Sequence, residues 1–199
     1  MNGRILRIAL ASLVGLAIAA GIAWWQVQNA TRQVETTAAS VGGPFRLTDH
    51  TGKAVTDADY RGKYLLIYFG YTFCPDVCPT ELSTMAGALD ALGPAAERVQ
   101  PLFVTVDPER DTVAHLAEYV PLFHPRLIGL TGTPEQIRDV ARAYRVYAAK
   151  SPGSAGDNYL MDHSGFVYLM GPDGKFVAVF PGAAGPEKMA GDIRKRIGS

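Results

Sequence analysis

Positions 64–82 read YLLIYFGYTFCPDVCPTEL, and most of the fold follows from this one stretch. The seven residues YLLIYFG form a continuous apolar and aromatic run of strand length. Such a run is typical of a central strand that is covered on both faces of its sheet. It leads directly to Cys74 and Cys78, the two cysteines of the chain, and then to Pro79. Because proline is favoured in the first turn of a helix, the stretch predicts a strand, a cysteine-bearing turn and a helix.

Apolar strands and amphipathic helices alternate on the C-terminal side of the cysteines. In the first helix, Leu82, Met85, Leu89 and Leu92 recur at steps of three and four residues, which places them on one helix face. The alternation of strand and helix indicates an α/β domain with parallel pairs of strands in its sheet. The predicted elements are a helix at 79–92, a strand at 101–106, a helix at 112–123, a strand at 126–130 and a helix at 133–144.

Hairpins are predicted at both ends of this domain. Short strands around Leu47 and Val55 flank the first turn, and strands at 166–170 and 176–180 flank the polar turn GPDGK. The other elements predicted near the C-terminus are a flexible loop at 151–158 and a closing helix at 186–197. This order of elements predicts a thioredoxin-like fold, in which helices flank a central mixed sheet.

The composition is that of an ordinary globular domain with an additional apolar segment. Of the 199 residues, 48% are hydrophobic and 19% are charged. The 19 basic side chains are balanced by 19 acidic ones, so the formal net charge is zero. Because no excess of positive charge is available to neutralise a phosphate backbone, we expect no nucleic-acid partner.

The N-terminal region predicts a transmembrane anchor. From Ile8 to Thr31 the chain has no charged residue, and residues 8–25 are apolar enough to span most of a bilayer core of roughly 30 Å as a helix. Two arginines precede this run, and the positive-inside rule therefore keeps residues 1–7 in the cytoplasm. The alternative is a cleaved signal peptide, since the triplet AIA at 17–19 fits the small-residue cleavage pattern.

The rest of the chain is then extracytoplasmic. Residues 26–43 are polar or small and predict a linker, and residues 44–199 predict the thioredoxin-like domain. An Arg-rich and Ser-rich transit sequence is absent, which favours a bacterial periplasm over an organelle. We therefore expect a single-pass protein of the bacterial inner membrane whose C-terminal domain lies in the periplasm.

The cysteine pair is the candidate working site. A cysteine in an oxidising compartment is bridged, shielded or used, and two cysteines four residues apart bring their sulfurs together as a disulfide or around a metal ion. Pro79 predicts that Cys78 lies at the helix N-cap, where the helix dipole lowers the pKa of a thiol. On spacing alone, Cys74 and Cys78 are a structural disulfide, a catalytic thiol-disulfide pair or two metal ligands.

A third donor is needed if the pair binds metal. Thiolate ligands favour Cu(I), with Cu(II) also possible. His163 is the candidate, because it follows the long flexible loop and opens a strand that could carry its side chain towards the cysteines. The other three histidines are predicted to lie at the surface; they are His50, His115 and His124.

The sequence resembles the Sco/SenC family of copper-binding proteins involved in cytochrome c oxidase assembly. The resemblance covers residues 44–197 and rests on separated blocks in the family's order: YFGYTFCPDVCPTEL, VTVDPERDT, FHPRLIGLTG, AYRVY and DHSGFVYLMGPDGKF. It implies a thioredoxin-like fold and copper bound by Cys74, Cys78 and His163. It also implies delivery of copper, or of reducing equivalents, to the binuclear copper centre of the oxidase.

The resulting expectation is a metallochaperone rather than an enzyme. Its expected partners are the copper-bearing subunit of cytochrome c oxidase and another copper chaperone or a thioredoxin-like reductant. The alternative is a thiol-disulfide oxidoreductase in which Cys74 and Cys78 are catalytic. Ordinary thioredoxins resemble one another in placing a proline opposite the cysteine pair, whereas the segment MDHSG at 161–165 has none, and this favours metal.

Several neighbouring residues have smaller predicted roles. Asp76 and Asp162 are candidates for tuning the charge of the site or orienting the imidazole. Met161 is predicted to pack rather than to bind metal. The charged block after the second strand is predicted to be a self-paired structural loop; it contains Asp107, Glu109, Arg110 and Asp111.

Overall fold

The computed structural model describes residues 3, 13, 15–26, 41–152, 159–182 and 184–198. The chain divides into two units, residues 1–40 and residues 41–199. In the first unit, residues 15–26 form helix α1, and their side chains are exposed. Across the described residues, no helix has both the length and the apolar character needed to cross a membrane. The predicted anchor at 8–25 lies partly outside the described residues, and the predicted linker at 26–43 lies mostly outside them.

The second unit alternates strands and helices, as the sequence predicted. Its strands are β1 (Arg46–Asp49), β2 (Ala54–Thr56), β3 (Tyr64–Gly70), β4 (Val99–Thr105), β5 (Ile128–Thr131), β6 (Ala148–Lys150), β7 (Met161–His163), β8 (Phe166–Met170) and β9 (Phe176–Pro181). Its α-helices are α2 (Val77–Leu92), α3 (Val113–Tyr119), α4 (Pro134–Ala143) and α5 (Pro186–Ile197).

Seven of the strands form one mixed sheet in the order β2-β1-β5-β4-β3-β8-β9. Strand β4 runs parallel to both β3 and β5, whereas the pairs at the two ends of the sheet are antiparallel. The predicted α/β architecture with a central mixed sheet is therefore confirmed. Strands β6 and β7 form a separate antiparallel pair, which the sequence did not predict.

Strand β3 lies inside the sheet between β4 and β8, and residues 65–70 are all buried. Its continuous apolar sequence fits this position, because both faces of a central strand are covered. At its carboxyl end, Gly70 pairs with Thr105 of β4. The loop that carries the cysteines and the loop that follows β4 therefore leave the sheet at the same edge.

Helix α2 begins at Val77, two residues before the predicted start. The prediction that Cys78 is the N-cap was wrong, because Asp76 occupies that position and Cys78 lies within the first turn. Pro79 fits the third helical position. The first four N–H groups of a helix have no intrahelical acceptor, so a proline there, which lacks an N–H group, loses no hydrogen bond. The buried face of α2 comprises Cys78, Glu81, Leu82, Met85, Ala88, Leu89 and Leu92.

The other helix boundaries follow from caps and prolines. Thr112 caps α3 by accepting a hydrogen bond from the His115 N–H, and Thr133 caps α4 in front of Pro134, as predicted. Helix α3 is shorter than predicted. It ends at Tyr119 and gives way to a 3-10 turn that contains Pro121, which has no N–H to continue the α-helical pattern.

The close approach of α2 to β3 generates a stability prediction. A Cβ atom on Gly70 would lie 2.9 Å from Cys78 Sγ, 2.9 Å from Tyr68 Cε1 and 3.0 Å from Phe103 Cε2. Gly70→Ala therefore overpacks the core, and we expect a loss of about 1–3 kcal/mol in the free energy of unfolding. Urea denaturation under reducing conditions measures this change.

Gly191→Ala in α5 is the matched control, since no atom lies within 4 Å of its added Cβ. Alanine is favoured over glycine within a helix, so this variant is expected to be as stable as the wild type or up to about 1 kcal/mol more stable. Equal stability of the Gly70→Ala variant and the wild type would contradict the packing described at the end of β3.

Candidate metal centre

Two sulfurs and one imidazole nitrogen meet at the carboxyl end of β3. The donor atoms of Cys74, Cys78 and His163 all lie within 4.8 Å of one another. Cys78 Sγ is 3.3 Å from His163 Nε2, and the Cys78 N–H donates a 3.4 Å hydrogen bond to Cys74 Sγ. Among the described residues, this is the one group of three or more histidine, cysteine and carboxylate side chains that could hold a metal ion.

The two thiols occupy different environments. Cys78 is fully buried between the first turn of α2 and the end of β3, with 0% of its surface exposed. Cys74 is half-buried on the preceding loop, and its N–H donates to the Tyr71 carbonyl. Both thiols are free, so they do not form a structural disulfide here. Cys74 is therefore the accessible member of the pair.

Burial raises the pKa of the Cys78 thiol to about 12. The sequence predicted the opposite shift, because a thiol at a helix N-cap is stabilised as a thiolate. That prediction was wrong, since removal of the sulfur from water disfavours the charged form more strongly than the helix end favours it. Without a metal, Cys78 is a neutral thiol at physiological pH.

His163 is the last residue of β7, and its ring has a defined tautomer. Nδ1 lies 3.2 Å from the Ser164 carbonyl oxygen, which only accepts hydrogen bonds. In the neutral ring, the proton is therefore on Nδ1, and the lone pair of Nε2 is directed at Cys78 Sγ. Burial lowers the pKa of His163 below its usual value, so the ring is neutral at physiological pH.

Two tyrosines of the core fix the plane of this ring. Tyr68 and Tyr71 meet the His163 imidazole edge to face, with ring centroids 6.1 Å and 5.7 Å away. Such edge-to-face contacts are favourable between rings at these separations. The orientation of the donor nitrogen is therefore set by packing as well as by the Ser164 carbonyl.

Neither predicted outer carboxylate contacts the imidazole through a hydrogen bond. Asp162 is exposed and accepts a 2.6 Å hydrogen bond from Ser151, so the Ser164 carbonyl and not Asp162 orients the ring. Asp76 is exposed at the N-cap of α2 and makes no capping hydrogen bond. An influence of Asp76 on the charge of the site stays a prediction.

The β6–β7 pair holds His163 beside the cysteines. Ala148 of β6 is opposite His163 in the register of this pair. Just beyond the pair, the Ser164 N–H donates to the Tyr147 carbonyl, and the Tyr147 N–H donates to the Ser164 hydroxyl. Met161 is half-buried and packs against the core, as predicted.

The charged loop after β4 is attached to the cysteine loop through Asp111. This carboxylate is fully buried and accepts hydrogen bonds from the Thr72 N–H and hydroxyl and from the Thr105 hydroxyl. Burial raises the pKa of Asp111, and these hydrogen bonds oppose that shift. Thr72 lies two residues before Cys74, so Asp111 fixes the loop that carries the exposed thiol.

The same loop is attached to the chain segment that leads into β7. Asp107 is buried, pairs with Arg110 as predicted, and accepts a 2.7 Å hydrogen bond from the Tyr159 hydroxyl. The Arg110 guanidinium lies 3.6 Å from the centroid of the Tyr159 ring and 4.6 Å from that of Phe73. The sequence predicted the ion pair but not these bonds to the ligand-bearing segments.

Removal of the Tyr159 hydroxyl tests this attachment. Tyr159→Phe keeps the ring over Arg110 but leaves Asp107 without one of its hydrogen-bond donors. We expect the free energy of unfolding to fall by about 1–3 kcal/mol, because a buried charged acceptor loses a partner. Tyr147→Phe is the control: its side chain is 62% exposed, and we expect a change within about 0.5 kcal/mol. Equal effects of the two substitutions would contradict the bridging role of Asp107.

The other three histidines do not join the donor group. All three are half-buried rather than exposed, so the prediction that they lie at the surface was only partly correct. The Nδ1 atoms of His50 and His124 accept backbone hydrogen bonds, which accounts for their partial burial. His115 stacks on the Phe73 ring, with centroids 5.1 Å apart. These contacts give the three histidines structural roles outside the donor group.

The fold and the site together define a class of protein: a thioredoxin-like α/β domain with a dithiol and an imidazole grouped at the carboxyl end of its central strand. Residues 33–198 match the family model described as SCO1/SenC. The chain belongs to the SCO1/SenC family.

Individual relatives agree with this assignment. The chain is 43% identical over 201 residues to the mitochondrial SCO2 homolog of Bos taurus, covering 96% of this chain and 75% of that protein. It is 48% identical over 159 residues to the mitochondrial SCO1 homolog of Homo sapiens, covering 79% of this chain and 52% of that protein. It thus spans about half the length of the human relative.

A solved structure shows the same fold. It is that of Bradyrhizobium japonicum ScoI with copper bound, which is 50% identical to this chain. The two structures align with a TM-score of 0.72 over 78% of this chain and 99% of the other.

Proposed function

We propose that this protein binds copper through Cys74, Cys78 and His163 and delivers it to the binuclear copper centre of cytochrome c oxidase. The observation that carries the proposal is the grouping of two thiols and one imidazole within 4.8 Å. Family membership supports it, as does the copper bound in the 50% identical Bradyrhizobium protein.

The donor chemistry supports copper over other metals. Two thiolates are soft ligands that favour Cu(I), and the imidazole completes a three-coordinate set that also accepts Cu(II). Structural zinc sites normally have four protein ligands, and the described residues offer three here. The neutral His163 ring with its lone pair at Nε2 needs no deprotonation before it acts as a ligand.

The difference in exposure between the thiols sets the direction of transfer. Cys78 and the rings around it are buried, whereas Cys74 and His163 line a surface depression together with the exposed residues Val77 and Leu160. A ligand from the oxidase subunit that receives the copper therefore approaches from the Cys74 side. The neighbouring apolar side chains provide a surface for that subunit or for a copper chaperone that loads the site.

The thiol-disulfide oxidoreductase alternative is not favoured. Dithiol exchange does not require an imidazole, yet the His163 lone pair is directed at Cys78 Sγ at 3.3 Å. Copper binding does require both cysteines in the reduced state, so a thioredoxin-like reductant is an expected partner.

The proposed location is the bacterial inner membrane. Residues 8–25 would cross the membrane once, residues 1–7 would stay in the cytoplasm and residues 26–43 would link the anchor to a periplasmic domain at 44–199. The apolar run and its preceding arginines support this arrangement.

Copper titration of the reduced protein tests the proposed ligands. We expect one Cu(I) per chain, and His163→Ala should lower the affinity by more than the roughly 10–100-fold that loss of an outer partner causes, because a ligand itself is removed. His124→Ala removes a histidine outside the site and should leave the affinity unchanged. Equal affinities of wild type and His163→Ala would contradict the ligand assignment.

The pH dependence of copper affinity follows from the state of Cys78. Because burial raises its pKa to about 12, the thiol is protonated at neutral pH and must lose its proton to bind as a thiolate. The apparent affinity should therefore rise with pH by at least about tenfold per unit between about pH 7 and pH 9.

A competition titration with a chelator of known pH dependence measures this slope. Cys78→Ser removes this thiol. In that variant, the logarithm of the copper affinity should rise less steeply with pH, by about one proton released per copper bound. An affinity that does not change with pH in the wild type would contradict the neutral thiol.

A further inference from the structure

Tyr68 places a buried hydroxyl beside the metal centre. Its side chain is fully buried in β3, with 0% of its surface exposed. Within the described part of the chain, the hydroxyl has no hydrogen-bond partner. A buried donor without an acceptor is unfavourable, and such groups are uncommon in native structures. The presence of an unpaired hydroxyl at this buried position therefore needs a physical reason.

The position of Tyr68 relative to Cys78 provides one. Tyr68 and Gly70 lie two residues apart on β3 and share a face of the sheet. The position that a Gly70 Cβ would occupy is 2.9 Å from both Cys78 Sγ and Tyr68 Cε1, so the edge of the phenol ring lies beside the sulfur.

Metal binding places a charged acceptor next to this hydroxyl. A cysteine binds a metal as its thiolate. A thiolate is charged, and hydrogen bonds to ionised acceptors are roughly twice as strong as neutral ones. The Tyr68 O–H group is therefore an available donor for the Cys78 thiolate, because the edge of its ring lies beside the sulfur.

We propose that the Tyr68 hydroxyl donates a hydrogen bond to the Cys78 sulfur when copper is bound, and that this bond increases the preference of the site for Cu(I) over Cu(II). The inference rests on the proposed copper-binding function. Hydrogen bonds to a ligating sulfur withdraw electron density from it and are one of the ways in which proteins tune copper sites. A less electron-rich thiolate stabilises Cu(II) less than Cu(I).

Tyr68→Phe is the test, because it removes one oxygen atom and keeps the ring. The affinities for Cu(I) and for Cu(II) are measured separately, together with the sulfur-to-Cu(II) charge-transfer absorption. The ratio of Cu(II) affinity to Cu(I) affinity should rise about threefold to tenfold, as expected for the loss of one hydrogen bond. The absorption band should move to lower energy, which a purely structural role of the ring would not produce.

Tyr119→Phe is the matched control. Its hydroxyl is also buried without a hydrogen-bond partner among the described residues, and its ring packs against Phe103 and Phe123. The affinity ratio and the absorption band should not change in this variant. Thermal unfolding of both apo variants checks that the fold is retained.

The outcomes separate the inference from the function. If the wild type binds copper and Tyr68→Phe changes neither the ratio nor the band, the role of Tyr68 is refuted and the copper site stands. A similar shift in Tyr119→Phe would also refute it, because the effect would then be one of general core polarity. A wild type that binds no copper would overturn both the inference and the proposed function.

Discussion

The contact between the first turn of α2 and the end of β3 is the constraint on which the site depends. A glycine at position 70 lets the helix approach so closely that Cys78 Sγ would be 2.9 Å from a Cβ at that point. This contact buries Cys78 and leaves Cys74, four residues earlier, half-exposed on the loop. The two thiols therefore differ in their access to solvent, although they belong to one short motif. In a site that binds an ion and later releases it, the buried Cys78 can retain the ion while the half-exposed Cys74 stays accessible to a partner.

The loop after β4 connects the two parts of the centre. Asp111 binds the cysteine loop through Thr72, and Asp107 binds the segment before β7 through Tyr159. Cys78 is held by the sheet and the helix, whereas Cys74 and His163 lie on segments that this loop ties together. The geometry of the three donors therefore depends on buried carboxylates that do not contact the donor atoms themselves.

Much of the architecture was predictable because its signals are local. The apolar run of β3, the periodic face of α2 and the caps at Thr112 and Thr133 all use residues close in sequence. The β6–β7 pair was missed because a strand of three residues is too short to show the alternation of apolar and polar side chains that identifies a strand. The high pKa of Cys78 was missed because it depends on tertiary burial, whereas a proline beside a helix start indicates only the dipole.

The sequence predicted which residues form the candidate site, but it did not predict how their side chains are oriented and held. The cysteine motif identified two donors, and the position of His163 after the long loop, supported by the family resemblance, singled it out from four histidines. The tautomer of His163 is set by a backbone carbonyl, and the bond between Tyr159 and Asp107 joins residues 52 positions apart. Such contacts leave no local pattern, which is also why the sequence directed attention to Asp162 instead of Ser164.

X-ray absorption spectroscopy of the Cu(I)-loaded, reduced protein tests the central claim most directly, because it reports the atoms bound to the metal. The structure predicts two sulfur ligands and one imidazole nitrogen per copper, with the nitrogen lost in His163→Ala. A first coordination shell of sulfur alone in the wild type, or one that His163→Ala does not change, would contradict a centre built from Cys74, Cys78 and His163.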